Sequence, residues 1–330
     1  MKSHFGLSFV ALIALVHATY AQEANSVLVL EKTTPLPGVK GRIDHMALDA
    51  SGERLWIAAL QNCTVEVVDV KDGKSVATIK EIKEPQGICY SQELKRFFVA
   101  SGQDGYVRAY DESTKLVAET SGFEDADNVR YDRKSKRVFV GYGKGKIGVL
   151  NASDLSMVGE VELQGHPESF QLEKGGTKLF VNVPTEKQIA VIDREKMAVT
   201  AKWPIEAAKS NFPMALDEST QRLFVGCRQP PRLVVIDLTS GKEIAKLECA
   251  GDLDDVFFDS NRRRIYASGG AGSISVFTQV DGDTYRLATT IETRKGCRTC
   301  CFDGVRARLH VAVPQMANRG AEIRTFRCEN

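Results

Sequence analysis

The sequence carries almost no net charge: 44 Lys and Arg oppose 43 Asp and Glu, leaving +1 over 330 residues. So balanced a chain has no overall field to draw it onto nucleic acid or anionic lipid. Its densest basic run, Arg262-Arg263-Arg264, reads as a solvated loop. No long apolar run follows the N-terminal segment, so no membrane span is expected. No later stretch sustains a helical period. A P-loop, a dinucleotide fingerprint, a nucleophile elbow and an HExxH pair are all missing. The eight cysteines lack the spacing of a small disulfide-stapled domain. Cys297, Cys300 and Cys301 form a CxxCC cluster, but no second CxxC, zinc-finger histidine or CxxCH accompanies it, which argues against zinc or haem.

What is there begins with an export signal. Lys2 and the short apolar stretch Leu7–Val16 read as a signal peptide, with small residues suited to cleavage after Ala21 or Ala18. Residues 1–21 are therefore expected to be removed, leaving 22–330 as a periplasmic or secreted protein. Export permits disulfides, Cys249 with Cys297 for example.

The mature chain is a repeat of 41 to 44 residues. One run recurs seven times: Arg54-Leu-Trp-Ile-Ala, Arg96-Phe-Phe-Val-Ala, Arg137-Val-Phe-Val-Gly, Lys178-Leu-Phe-Val-Asn, Arg222-Leu-Phe-Val-Gly, Arg264-Ile-Tyr-Ala-Ser and Arg308-Leu-His-Val-Ala. A second follows each, as in Val65-Glu-Val-Val-Asp or Ile189-Ala-Val-Ile-Asp. These β-branched and aromatic runs are bounded by turn residues, so each unit predicts four short strands. The pattern predicts an all-β, seven-bladed β-propeller with four-stranded antiparallel blades. The seventh unit ends after its third strand, and Val27–Leu36 is an otherwise unassigned strand. It is expected to complete the last blade and close the ring, which favours a monomer. The Asp ending the third strands (Asp69, Asp111, Asp193, Asp237, and Asn151 in kind) reads as a turn residue accepting backbone N–H bonds. Trp56, Phe98, Phe139, Phe180 and Phe224 share one strand position and read as core.

These strands resemble the YVTN-repeat β-propellers, and more narrowly the exported bacterial YncE-like family. Gly41-Arg-Ile-Asp-His-Met-Ala-Leu-Asp, Glu84-Pro-Gln-Gly and Gly165-His-Pro-Glu carry the resemblance, which spans Val27 to Arg327. Tyr-Val-Thr-Asn itself does not occur; Phe180-Val-Asn-Val comes nearest. The resemblance implies a propeller with a binding or scaffold role.

Aligning the units places Asp44, Gln86, Asp127, Glu168, Phe212, Asp254 and Arg298 in one register, just before the innermost strand. His45 and Asn128 hold the next position, and Arg42, Glu84, Asp125, His166 and Asp252 stand two residues earlier than the first set. Loops entering innermost strands converge at one mouth of a propeller's channel, so these side chains should form a polar ring. Such a ring serves either to hydrate loops and channel water or to hold a ligand. The ligand-binding candidates are Asp44, His45, Glu84, Asp127, Asn128, Glu168, Asp254 and Arg298. The leading reading is a binding or scaffold module without a cofactor. Its partner would be a small neutral or cationic ligand, a peptide, or an envelope or secreted protein. The alternative, similar in plan to propeller lactonases, is a metal-assisted lactone or ester hydrolase. Asp127, Asn128, Glu168 and Asp254 would then hold Ca²⁺, with His45 as base. Nucleic acid is disfavoured, because charge is balanced and the aromatics sit in the core.

Overall fold

The computed structural model describes residues 27–330; the expected signal peptide lies outside them. The described chain forms seven four-stranded antiparallel sheets. Blade one comprises Met46–Leu48, Arg54–Ala59, Thr64–Asp69 and Lys74–Lys80, paired in chain order from the axis outward. Blades two to six repeat this order. Their innermost strands are Pro85–Ser91, Val129–Asp132, Phe170–Leu172, Lys209–Asp217 and Leu253–Asp259. Blade seven has Cys300–Asp303 innermost, then Arg308–Val313 and Ala321–Cys328. Its fourth strand is the N-terminal Leu28–Leu36, paired antiparallel to Ala321–Cys328 from Leu28 opposite Cys328 to Leu36 opposite Ala321. The clasp expected from the repeat count is present. Among the described residues no helix is long and apolar enough to cross a membrane.

The repeat explains why the ring closes. A second strand such as Arg54–Ala59 is buried on both faces, because each blade is sandwiched between two others. Seven apolar clusters result, each between two adjacent blades. Trp56, Phe98, Phe180 and Phe224 are wholly inaccessible and Phe139 nearly so, as befits blade core. Trp56 stacks on Tyr90 of the next blade at 5.1 Å and on Phe97 at 4.8 Å. The third-strand acids do turn work: Asp69 accepts from the Asp72 N–H at 2.7 Å, and Asp237 from those of Thr239 and Ser240 at 3.1 and 2.8 Å.

Two expectations are corrected. All eight cysteines are free thiols, and Cys249 and Cys297 lie in different interblade clusters, so they form no disulfide. The basic run is not a loose solvated loop. Arg262 and Arg264 both donate to the Glu329 carbonyl and tie down the C-terminal segment, while Arg263 alone is exposed at a left-handed turn.

Candidate functional site

The innermost strands line a channel, and at one end the loops leading into them enclose a cavity of about 240 Å³. A shared backbone pattern puts its side chains in register. The N–H of Asp44 donates to Ala58 O at 2.7 Å, that of Asp127 to Gly141 O at 3.0 Å, and that of Glu168 to Asn182 O at 3.0 Å. Each loop is therefore pinned to its own second strand at the same residue. Two residues before this register position, Glu84, Asp125, Ser210, Asp252 and Gly296 all have positive φ. The same left-handed turn in five blades is a property of the repeat rather than a local distortion. Gly87 also serves the packing here: a Cβ on it would lie 2.2 Å from the Asp127 carbonyl oxygen.

The cavity is lined by Gln86, Asp127, Glu168, Phe212 and Asp254 of the first register, together with His45 and Asn128. Asp44 and Arg298 are set back from it, since each is drawn to another charge. Asp44 is buried under Arg42, whose Nη2 lies 2.9 Å from it. Arg298 turns to Asp252 at 2.7 Å, with its Nε 3.7 Å from Asp254. Glu84 does not line the cavity. Gln86 takes the place of blade two there, its Nε2 donating to Ala126 O at 3.4 Å.

Lining residues outside the candidate set include the basic side chains Arg42, His166 and Arg228. Arg228 stacks 3.7 Å over the Phe212 ring, donates from Nε to Leu253 O at 2.8 Å, and pairs through Nη2 with Asp254. The repeat held a signal for it. Six residues after each second strand begins stand Leu60, Gly102, Gly143, Pro184, Arg228, Gly270 and Pro314, and only one of these carries charge.

The charges sort into two groups. Asp254 sits among three guanidiniums: Arg228, Arg42 at 3.6 Å and Arg298 at 3.7 Å. His45 lies between Asp255 at 3.3 Å and Asp44 at 3.8 Å. Burial opposes its charge, but Asp255, Asp44 and Asp127 outweigh burial and hold the imidazole pKa at about 10. A histidine held in its charged form by these acids lacks the free lone pair that a general base needs, which speaks against the expected role of His45 as base. Of the expected Ca²⁺ ligands, Asp254 has one oxygen on Arg228 and the other 3.6 and 3.7 Å from Arg42 and Arg298, which disfavours a cation there.

The second group is Asp127 and Glu168. No Lys, Arg or His forms an ion pair with either among the described residues, yet their carboxyls face each other. One oxygen of each and a nitrogen of His166 all lie within 4.8 Å of one another. Burial first, then mutual repulsion, raises Asp127 into the neutral range. Burial raises Glu168 in the same direction, while its hydrogen bond with protonated Asp127 pulls it back. Beside them the Asn128 side-chain oxygen is buried with no hydrogen-bond partner. His166 directs Nδ1 to the Gly143 carbonyl oxygen at 2.6 Å, which leaves Nε2 as its acceptor. The Asp127–Glu168 pair has no cation in direct ion-pair contact among the described residues and can take up a proton or a cation.

No family model matches this sequence. No curated protein matches it either. Solved structures do, at the level of fold. A chain of a crystal structure of the mitotic checkpoint complex superposes with TM-score 0.77 at 13% identity, covering 92% of both chains. The WD40 repeats of RRP9 give TM-score 0.81 at 10% identity, covering 92% of this chain and 99% of that one. A structure of U3-55K gives 0.79 at 10% identity, covering 90% and 98%. The chain is a seven-bladed β-propeller of the architecture that WD40 repeats build. At such identities the likeness extends to fold and no further.

Proposed function

We propose that this chain is an exported propeller of the YVTN-repeat, YncE-like kind that works as a binding module, holding a cationic group of a ligand or protein partner in the mouth cavity. One observation carries the reading: Asp127 and Glu168 face each other in the cavity with no ion-pair partner among the described residues, the charges of His45 and Arg228 acting on them only from farther off. Two such carboxyls cannot both ionise unless something positive comes between them. An ammonium or guanidinium group would replace the shared proton, and the orphaned Asn128 oxygen would accept a further N–H bond. Titrating agmatine into the purified chain by calorimetry tests this. Binding is expected, and the Asp127→Asn, Glu168→Gln double variant should weaken it at least about tenfold. Absence of binding, or binding that survives the double variant, would sink the reading.

His166 supports a second reading. Its Nδ1 contact to a backbone carbonyl is the outer-shell pattern of a metal-ligating histidine. One imidazole with two carboxylates suits Zn²⁺ or Mn²⁺ better than Ca²⁺. A metal-assisted hydrolase would then use metal-bound water rather than His45. This predicts purified protein carrying about one equivalent of metal, lost on His166→Ala, with lactone or ester hydrolysis lost in parallel.

A further inference from the structure

The channel has a second mouth. Beyond the ends of the innermost strands Val129–Asp132 and Phe170–Leu172, a groove of about 720 Å³ opens, within the size range of small-molecule sites. It meets the channel at Arg130, which lines both. The acidic cavity is at the other end and shares His45 and Ser169 with the channel.

Arg130 is under-satisfied for a guanidinium in this position. One Nη1 donates to the Val129 carbonyl at 2.9 Å, and the Phe170 ring lies 5.6 Å away. No carboxylate among the described residues forms an ion pair with it, and its side chain lines both the groove and the channel. Burial works against its charge, and an enclosed cation without a counter-ion is costly. Of the acids lining the groove, Glu93 pairs with Arg133 at 2.8 Å and Asp132 with Arg194 at 2.6 Å, while Glu173 accepts from the Lys178 N–H at 3.1 Å. Lys134 and Lys174 line the same groove without an acidic partner. The free Nε–Nη edge matches two oxygens of one anionic group. A single guanidinium balances a single charge. A dianion seated on Arg130 would face the Asp255 carboxylate, whose charge already acts on Arg130. The groove walls also offer Tyr131 and Leu172 to an apolar body.

We infer that this second groove binds a small organic monocarboxylate, its carboxylate on Arg130 and its apolar body along Tyr131 and Leu172. Calorimetric titration of the full chain with octanoate, octanamide and inorganic phosphate tests it, on the parent and on Arg130→Met and Arg130→Lys variants. Octanoate should bind, phosphate should bind more weakly, and octanamide should not bind. Arg130→Met should weaken octanoate at least about tenfold. It should also melt no lower than the parent, because an apolar side chain replaces an unpaired cation. Arg130→Lys, which keeps the charge but loses the fork, should be intermediate in affinity. If Arg130→Met does not fold, the Lys variant decides, and parental octanoate affinity there overturns the assignment. So does a parent that ignores octanoate, takes octanamide equally well, prefers phosphate, or still binds octanoate once Arg130 is Met.

Discussion

A chain begun at Pro37, lacking Leu28–Leu36, is expected to lose its cooperative thermal transition and to aggregate. That strand supplies the whole outer edge of the last blade, and its loss bares the polar groups of Ala321–Cys328. Leu28 and Leu36 are both almost fully buried, in the cluster against blade six and the one against blade one respectively. Losing two such side chains costs roughly 4–8 kcal/mol before any ladder hydrogen bond is counted. The total stability of a domain is about 5–15 kcal/mol. A synthetic peptide spanning the strand should restore part of the transition by adding back to the open edge. Calorimetry of the truncated chain decides the matter. A cooperative melt within a few degrees of the full chain would mean the ring does not depend on its clasp.

Asp254→Ala is expected to destabilise by about 2–4 kcal/mol. The substitution strips the shared counter-ion from Arg228, Arg42 and Arg298, and Arg228 stays fixed by its stacking on Phe212 and its bond to Leu253 O. Asp252 and Asp44 remain as partial substitutes, which is why the expected loss is not larger. Raising salt should recover part of it, as anions screen the exposed guanidinium edges. Urea denaturation of parent and variant measures the difference. A change below about 0.5 kcal/mol would show that the arginines are satisfied without Asp254.

The same ring therefore contains one acid whose removal harms the fold and one whose neutralisation should help it. That contrast marks how far the sequence could be read. Strand runs such as Lys178–Val183 and Arg308–Val313 repeat apolar positions at fixed spacing, so blade number, strand order and the clasp were all legible. The register of Asp127 and Glu168 was legible for the same reason, since their loops and that of Asp44 are pinned to their second strands alike. Which ring members meet was not legible. Spacing gives a side chain's starting point, but a long Arg or Glu reaches whichever charge is nearest in space. Arg298 turned to Asp252, Arg228 folded over Phe212, and His166 rather than Glu84 came beside Asp127. Protonation was equally hidden, because the His45 charge comes from Asp44 and from Asp255, a residue five repeats further along the sequence.

The central claim is that Asp127 and Glu168 share a proton which the folded state retains and the unfolded chain releases. Both groups are raised on folding, so the native state binds more protons than the unfolded state between about pH 4 and pH 8. Stability must then fall as pH rises through that window. His45 adds to the trend at higher pH, since its contribution is complete below about 6.5 and is lost towards about 10. Melting temperature against pH, for the parent and Asp127→Asn, is the most direct measurement. The variant, which mimics a permanently neutral Asp127, should match the parent near pH 5 and exceed it near pH 8 by about 1–3 kcal/mol, or about 2–5 °C. Parallel curves, or a variant less stable at pH 8, would contradict the account.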